Sequence, residues 1–381
     1  MRASADQAEL RVNQLADGVQ QSASVALDAT GGFAVAWQSE VDGSDEIRAR
    51  RFHPSGTARG DELRVNTHTQ GPQNLPAIAS APDGRFVVVW QRLIAGQFQI
   101  RARCFDAAGA ARGGELAVST ARNETHGAAR VAMDAKGNFV VVWESPIRGS
   151  YEIRARRYLA SGAALGPELA VNTLSTSAQR SPAIAMNGAG QFVVVWRSNI
   201  AGSFDVRAQR FDANGAARGP ELAVNAFVAG DQLAPGVALD ERGNFVVVWE
   251  NALDDRFEIR ARRFSAGGVP VAEETAVSPD GGDQFAPAIA MGAGGTYVVA
   301  WHAQAADGSE IRARSFARNG SPRDTEHAIN VVAHGIQKSV SVSMNARGDQ
   351  AFAWHSAATG DWEVCARSFA QRAPRRVVAT R

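Results

Sequence analysis

Pro182-Ala-Ile-Ala-Met-Asn-Gly-Ala-Gly-Gln-Phe-Val-Val-Val-Trp196 reads as two β-strands around a tight, glycine-containing turn. The first strand is short and apolar (Ile184-Ala-Met186). The second is a continuous β-branched and aromatic run, the pattern of a strand covered on both faces. Versions of the stretch occur seven times, each ending in Trp, at positions 37, 90, 143, 196, 249, 301 and 354. The steps are 53 residues, with a single step of 52. A repeat of that length decides the architecture before length or composition does.

Each unit continues past its Trp in the same way. An alternating strand follows (Glu152-Ile-Arg-Ala-Arg156), then a Gly-rich turn (Asp212-Ala-Asn-Gly215), then a short fourth strand such as Glu168-Leu-Ala-Val-Asn172. We label the four strands A to D. Four antiparallel strands in about 50 residues form the blade of a β-propeller, and seven units fall within the usual range of blade numbers. The expected fold is therefore all-β, a seven-bladed propeller. The chain begins with a spare strand D, Glu9-Leu-Arg-Val-Asn13, whereas the seventh unit reaches strand C (Glu363-Val-Cys-Ala-Arg367) before its pattern fails. Glu9–Asn13 is thus expected to complete the seventh blade and remove two free sheet edges; the competing reading places Arg376–Thr380 there. The expected organisation is a disordered lead (1–8), one propeller (9–369) and a tail (370–381). The one-residue deletion lies between Glu274 and Pro287, in a D–A loop, where a surface connection tolerates it.

The net charge of +1 gives no electrostatic footprint for nucleic acid. No apolar run is long enough for a membrane helix, and the first residues carry no signal-peptide pattern. Cys104 and Cys365 fall in units 2 and 7, with unit 1 between them, too far apart for a disulfide. The spacing offers no metal or redox motif, and no phosphate loop, dinucleotide fingerprint or nucleophile elbow is present. No cofactor is expected.

The unit resembles a bacterial tandem repeat with the pattern Pro-Ala-Ile-Ala-Met-Asp-x-x-Gly-Asn-Phe-Val-Val-Val-Trp, then Glu-Ile-Arg-Ala-Arg-Arg-Phe and Glu-Leu-x-Val-Asn. The match runs over roughly residues 9–369. Its A–B part is also similar to the NHL-type propeller unit, from which the longer period departs. The repeat resemblance implies a secreted or surface protein engaged in binding or adhesion, and supplies no catalytic residues.

In a propeller the D–A and B–C connections share one face, where ligands usually bind. Three residue sets fall there. Gln20, Gln73, His126, Gln179, Gln232, Gln284 and Gln337 stand 17 residues before the repeat Trp; they either satisfy neighbouring loop backbone or form an amide rim for hydroxyl-rich ligands. Phe98, Tyr151, Phe204, Phe257 and Trp362 begin strand C, as blade packing or as sugar platforms; Tyr151 and Trp362 are taken as ligand candidates. His302 and His355 follow repeat Trps in adjacent blades, where the other units have Gln38, Gln91, Glu144, Arg197 and Glu250. With His334 from the intervening loop they are the candidate ligands for Zn²⁺ or another transition metal, against the reading of three unrelated exposed histidines. Arg48, Arg101, Arg154, Arg207, Arg260 and Arg312 recur in strand C and are expected to pair with acidic neighbours.

Near-identical blades suit multivalent recognition. The expectation is a monomeric, non-catalytic module with a glycan or protein partner, no nucleic acid and no membrane insertion, extracellular or on the cell surface, with a cytoplasmic location as the alternative. The alternatives in function are a structural or adhesion segment of a larger surface protein, and a hydrolase or lyase with carboxylates at the channel mouth.

Overall fold

The computed structural model describes residues 8–371, apart from 122–123, 148, 176, 200–201, 254–255, 279–281 and 306. Residues 1–7 of the expected lead, most of the tail and the alternative closing segment Arg376–Thr380 lie outside the described residues. The described chain forms seven four-stranded antiparallel sheets. Blades 1 to 6 span 20–64, 73–117, 127–170, 179–223, 231–276 and 284–328; blade 7 joins 337–369 to 10–11. No described helix is long and apolar enough to cross a membrane.

The N-terminal strand closes the ring as expected. Leu10 lies opposite Ala366 and Arg11 opposite Cys365. Val12 N–H donates to Val364 O at 2.8 Å, and Val364 N–H donates to Asn13 Oδ1 at 2.9 Å. The same pair of bonds joins Val65 and Asn66 to Ile47 in blade 1. Contacts between blades repeat as regularly. The strand D glutamate accepts a backbone N–H from the preceding blade, as Glu168 does from Thr120 (2.7 Å), and Glu9 does so from Val331 across the closure. Arg50 Nη1 reaches Val12 O at 3.0 Å, as Arg103 reaches Val65 O at 2.8 Å.

Burial explains the sequence pattern. All seven repeat Trps are 0% exposed, and the Val-Val-Val runs ahead of them are packed between adjacent sheets. Where strands B and C pair next to the A–B turn, their aromatic residues stack, as Phe192 and Phe211 do at 4.7 Å. The A–B turn itself needs glycine: Gly137 has φ +85°, while Asp134 Oδ1 accepts from Lys136 and Asn138 N–H at 2.8 Å each. Cys104 and Cys365 are both free and buried.

Strand A is the innermost strand, and the seven strands A touch one another around a central channel. Each carries the same β-bulge, which bends the strand just inside the channel mouth. Its central residue takes a positive φ of 43–56° at Ser22, Leu75, Ala128, Ser181, Ala234, Ala286 and Ser339. This conformation costs a non-glycine residue about 1 kcal/mol. The bulge residue's N–H no longer serves the A–B ladder, so it needs another acceptor.

Candidate functional site at the channel mouth

The acceptor comes from the previous blade. In four blades the residue after the repeat Trp caps the next blade's bulge: Gln38 accepts from Leu75 N–H (3.4 Å), Gln91 from Ala128 (2.7 Å), Glu144 from Ser181 (2.6 Å) and Glu250 from Ala286 (3.0 Å). At the same register blades 4, 6 and 7 carry Arg197, His302 and His355. The repeat thus builds seven equivalent positions around the channel mouth and fills them with different chemistry. Neutral Gln makes the cap in blades 1 and 2, so the cap does not require a carboxylate in blades 3 and 5.

The two carboxylates sit in different surroundings. Glu144 is held by the Ser181 N–H and by Arg180, 3.5 Å away. For Glu250, burial pushes the carboxyl above its ordinary range; the Ala286 N–H and Arg197 act in the opposite direction and do not offset it. Both side chains belong to largely buried residues, 8% exposed. The raised carboxyl pKa makes Glu250 a candidate proton donor.

The cations nearby are fixed by aromatic rings. The Arg180 guanidinium lies 3.6 Å from the centroid of Tyr151, and that of Arg197 lies 4.5 Å from Phe204. These two strand C aromatics are half-buried supports for arginines. Phe257 packs on Phe285 (4.8 Å), which in turn packs on His302. Trp362 meets the edge of His355 at 4.9 Å. The candidates Tyr151 and Trp362 therefore stand beside the channel mouth, each with a neighbour already in contact with its ring.

The amide ring lies deeper than a rim. Gln20, Gln73, Gln179, Gln232 and Gln337 are 0% exposed, and Gln284 is 4% exposed. The Oε1 atoms of Gln20, Gln73, Gln179, Gln232 and Gln337 accept the indole N–H of Trp37, Trp90, Trp196, Trp249 and Trp354 at 2.7–2.9 Å. Their Nε2 atoms donate to D–A loop carbonyls, for example Gln179 to Ser177 O at 2.9 Å. His126 fills the place in blade 3 and binds Ala121 O instead, which leaves Trp143 Nε1 without a partner. These five amides face the interior of their own blade, whereas Gln284 accepts from Ile259 N–H of the preceding blade at 3.4 Å.

The three histidines do not assemble as a metal centre: no group of metal-ligating residues occurs among the described residues. His302 and His355 are close enough to influence each other, but Lys338 stands beside both. Burial, then Lys338, holds each imidazole down at about 4, and His302 adds a small downward effect on His355. A site already next to an ammonium group is a poor seat for a dication. His334 contributes its backbone carbonyl to Gln337, at 3.4 Å. The strand C arginines pair with acidic neighbours where such pairs occur, as Arg48 does with Glu46 and Glu62, and Arg260 with Glu258 and Glu274.

Arg130 is the sharpest departure from the repeat. It occupies strand A of blade 3 (Gly127–Met133), where the other blades have Ser24, Ala77, Ala183, Gly236, Ala288 and Ser341. The small residues let neighbouring strands approach; Ser24 and Ser341 even bond to the next strand's N–H groups, of Ile78 and Val25. Arg130 has no room between strands, and its side chain is exposed where strand A meets the lumen. The surrounding protein lowers its guanidinium pKa, with Glu144 opposing. Outside the mouth, a cleft of about 300 Å³ opens between blades 3 and 4 on the opposite face; a similar one of about 170 Å³ between blades 5 and 6 marks it as a feature of the repeat.

No family model matches the chain, and no curated protein matches it. Solved structures share the propeller fold. The alpha-L-arabinanase of Penicillium chrysogenum, complexed with arabinobiose, is 12% identical over 78% of this chain and 94% of its own, with a TM-score of 0.56. The GH93 alpha-L-arabinofuranosidase of Fusarium graminearum is 9% identical over 95% and 97%, at 0.55. Polysaccharide lyase Uly1 is 11% identical over 89% and 87%, at 0.57. At such identities the likeness shows the fold alone. These three neighbours are named as glycan-degrading enzymes, a finding that runs against the expectation of a non-catalytic recognition module. The blades are also not alike at the mouth, where Glu144, Arg197, Glu250, His302 and His355 share one register.

Proposed function

We propose that this protein is a glycan-degrading enzyme, a hydrolase or lyase, whose site is the channel mouth on the face of the D–A and B–C loops. The observation that carries the reading is the pair Glu144 and Glu250. Both occupy a cap position that neutral Gln fills elsewhere, and their surroundings differ: Arg180 lies 3.5 Å from Glu144, while burial raises the carboxyl pKa of Glu250. Acid–base cleavage of a glycosidic bond uses two carboxyl groups in unlike surroundings. In this reading Glu250 donates a proton to the departing oxygen. Glu144, which accepts the Ser181 N–H and lies 3.5 Å from Arg180, takes a proton from the attacking water in a hydrolase or from the ring carbon beside the carboxylate in a lyase. Polymeric glycans are met outside the cell, so an extracellular or surface location goes with the proposal.

The test is turnover. Purified protein is incubated with a panel of neutral and acidic polysaccharides, and products are read as new reducing ends and as the ultraviolet absorbance of unsaturated uronates. Release of oligosaccharides from at least one polymer is expected. New ends without the absorbance identify a hydrolase; both together identify a lyase. Binding without product across the whole panel overturns the reading.

A further inference from the structure

We infer that the channel lumen beside Arg130 seats an oxyanion of the glycan, a carboxylate or a sulfate ester, and that the substrate class is therefore acidic polysaccharide. This deepens the function just proposed and rests on it. The first support is register. Six blades close the channel with Ser, Ala or Gly at this position, so the propeller itself has no need of a guanidinium there. The second is that the charge is unmatched. Arg130 Nη1 donates to Ala129 O at 2.9 Å, and no carboxylate stands within ion-pair distance among the described residues. Its nearest named anion, Glu144, is already engaged by Arg180 and Ser181 N–H. The guanidinium is exposed to the lumen, so its remaining N–H donors are open to an incoming anion.

The third support is the rim. Arg180 and Arg197 lie over the rings of Tyr151 and Phe204, 3.6 and 4.5 Å from their centroids, and Lys338 stands beside the imidazoles of His302 and His355 on the other side of the mouth. Around them are two carboxyl groups, and burial raises the pKa of the one on Glu250. The positive potential therefore leads from the rim inward to Arg130. The planar fork of a guanidinium matches the paired oxygens of a carboxylate or sulfate, and a low-dielectric wall around it strengthens the contact.

The experiment compares the full chain with Arg130→Ser, the residue blades 1 and 7 carry there, by calorimetric titration. Inorganic sulfate, an oligogalacturonate and neutral arabinobiose serve as probes. The expected result is binding of at least one anion, weakened about 10-fold or more in the variant and weakened by added sodium chloride in the wild type. The melting temperature without ligand should be unchanged, because Ser fits this position in two other blades. Arg130→Lys, which keeps the charge and loses the fork, should fall between the two. Preference for oligogalacturonate over sulfate identifies a uronate, and the reverse a sulfate ester. Equal anion affinity in wild type and Arg130→Ser, or none in either, overturns the inference. The two readings separate cleanly. Turnover of neutral glycan that Arg130→Ser leaves intact removes the acidic substrate and keeps the enzyme. Arg130-dependent anion binding with no polymer cleaved keeps the site and removes the enzyme.

Discussion

Gln179→Leu should unlock the core of blade 4. The amide is 0% exposed and makes two contacts no other group can replace: its Oε1 takes the Trp196 indole N–H at 2.8 Å, and its Nε2 donates to Ser177 O at 2.9 Å. Leucine is close in volume, so the change mainly removes hydrogen bonds. Leaving a buried donor and a buried acceptor unpaired costs about 1–3 kcal/mol each, or roughly 2–6 kcal/mol together. Entropy of unfolding scales with length, and for a chain of this size about 3 kcal/mol corresponds to a fall of about 4 °C in melting temperature. Blade 3 provides the converse. There His126 leaves Trp143 Nε1 unpaired, so His126→Gln restores the missing bond and should stabilise by about 1 kcal/mol. Differential scanning calorimetry on both variants is the assay. A Gln179→Leu protein that melts with the wild type, or a His126→Gln protein that melts lower, would refute the assignment of this amide as the lock on the repeat Trp.

Three other outcomes are expected. Removal of residues 1–14 deletes the closing strand together with the Val12, Asn13 and Glu9 bonds to the other blades, and should lower stability by several kcal/mol, on the order of 1 kcal/mol per lost hydrogen bond plus the burial of Val12; an unchanged denaturation midpoint contradicts closure through this strand. Trp196→Ala should cost about 3–5 kcal/mol, and a loss below about 1 kcal/mol contradicts its place between blades. His302 and His355 titrate near 4 in the folded state, against about 6.5 unfolded. Above 6.5 both states are neutral and no penalty arises. Between 6.5 and 4 only the unfolded chain takes up the protons, so stability falls with pH by up to about 3 kcal/mol for each group, less for His302, which water partly reaches. The His302→Gln/His355→Gln double variant should flatten that slope, and a slope equal to the wild type's means the imidazoles are not held neutral.

The fold was legible because it is written seven times. The Val-Val-Val-Trp runs, the Gly turns and the displaced Glu9–Asn13 strand all follow from patterns that averaging over repeats makes visible. The Gln column was equally visible, yet its direction was not. Period and spacing place a residue before strand A, but only the packing shows that the amide turns inward to an indole. The same limit applied to Tyr151 and Trp362, whose partners, Arg180 and His355, come from a different blade or strand. The mouth itself lay in the residuals of the repeat. Arg130 against six small residues, and Glu144 and Glu250 against Gln38 and Gln91, are plain in an alignment of the units. They are easily passed over when agreement between units is the signal sought. Their significance needs the bulge in strand A, which gives the residue after each Trp a shared task and so exposes which side chains carry more than that task demands.

The most direct measurement is polysaccharide turnover by Glu250→Gln beside the wild type, with melting temperatures taken on the same samples. Gln38 and Gln91 already make this cap with an amide, so the variant should fold. Because burial raises the carboxyl pKa, the ionised form destabilises the fold as pH rises through that pKa, and the neutral amide should melt at or above the wild type at pH 7. The account predicts a fully folded Glu250→Gln protein whose cleavage rate is reduced by about 100-fold or more, the contribution expected of a general acid. A folded variant that cleaves as fast as the wild type would contradict it.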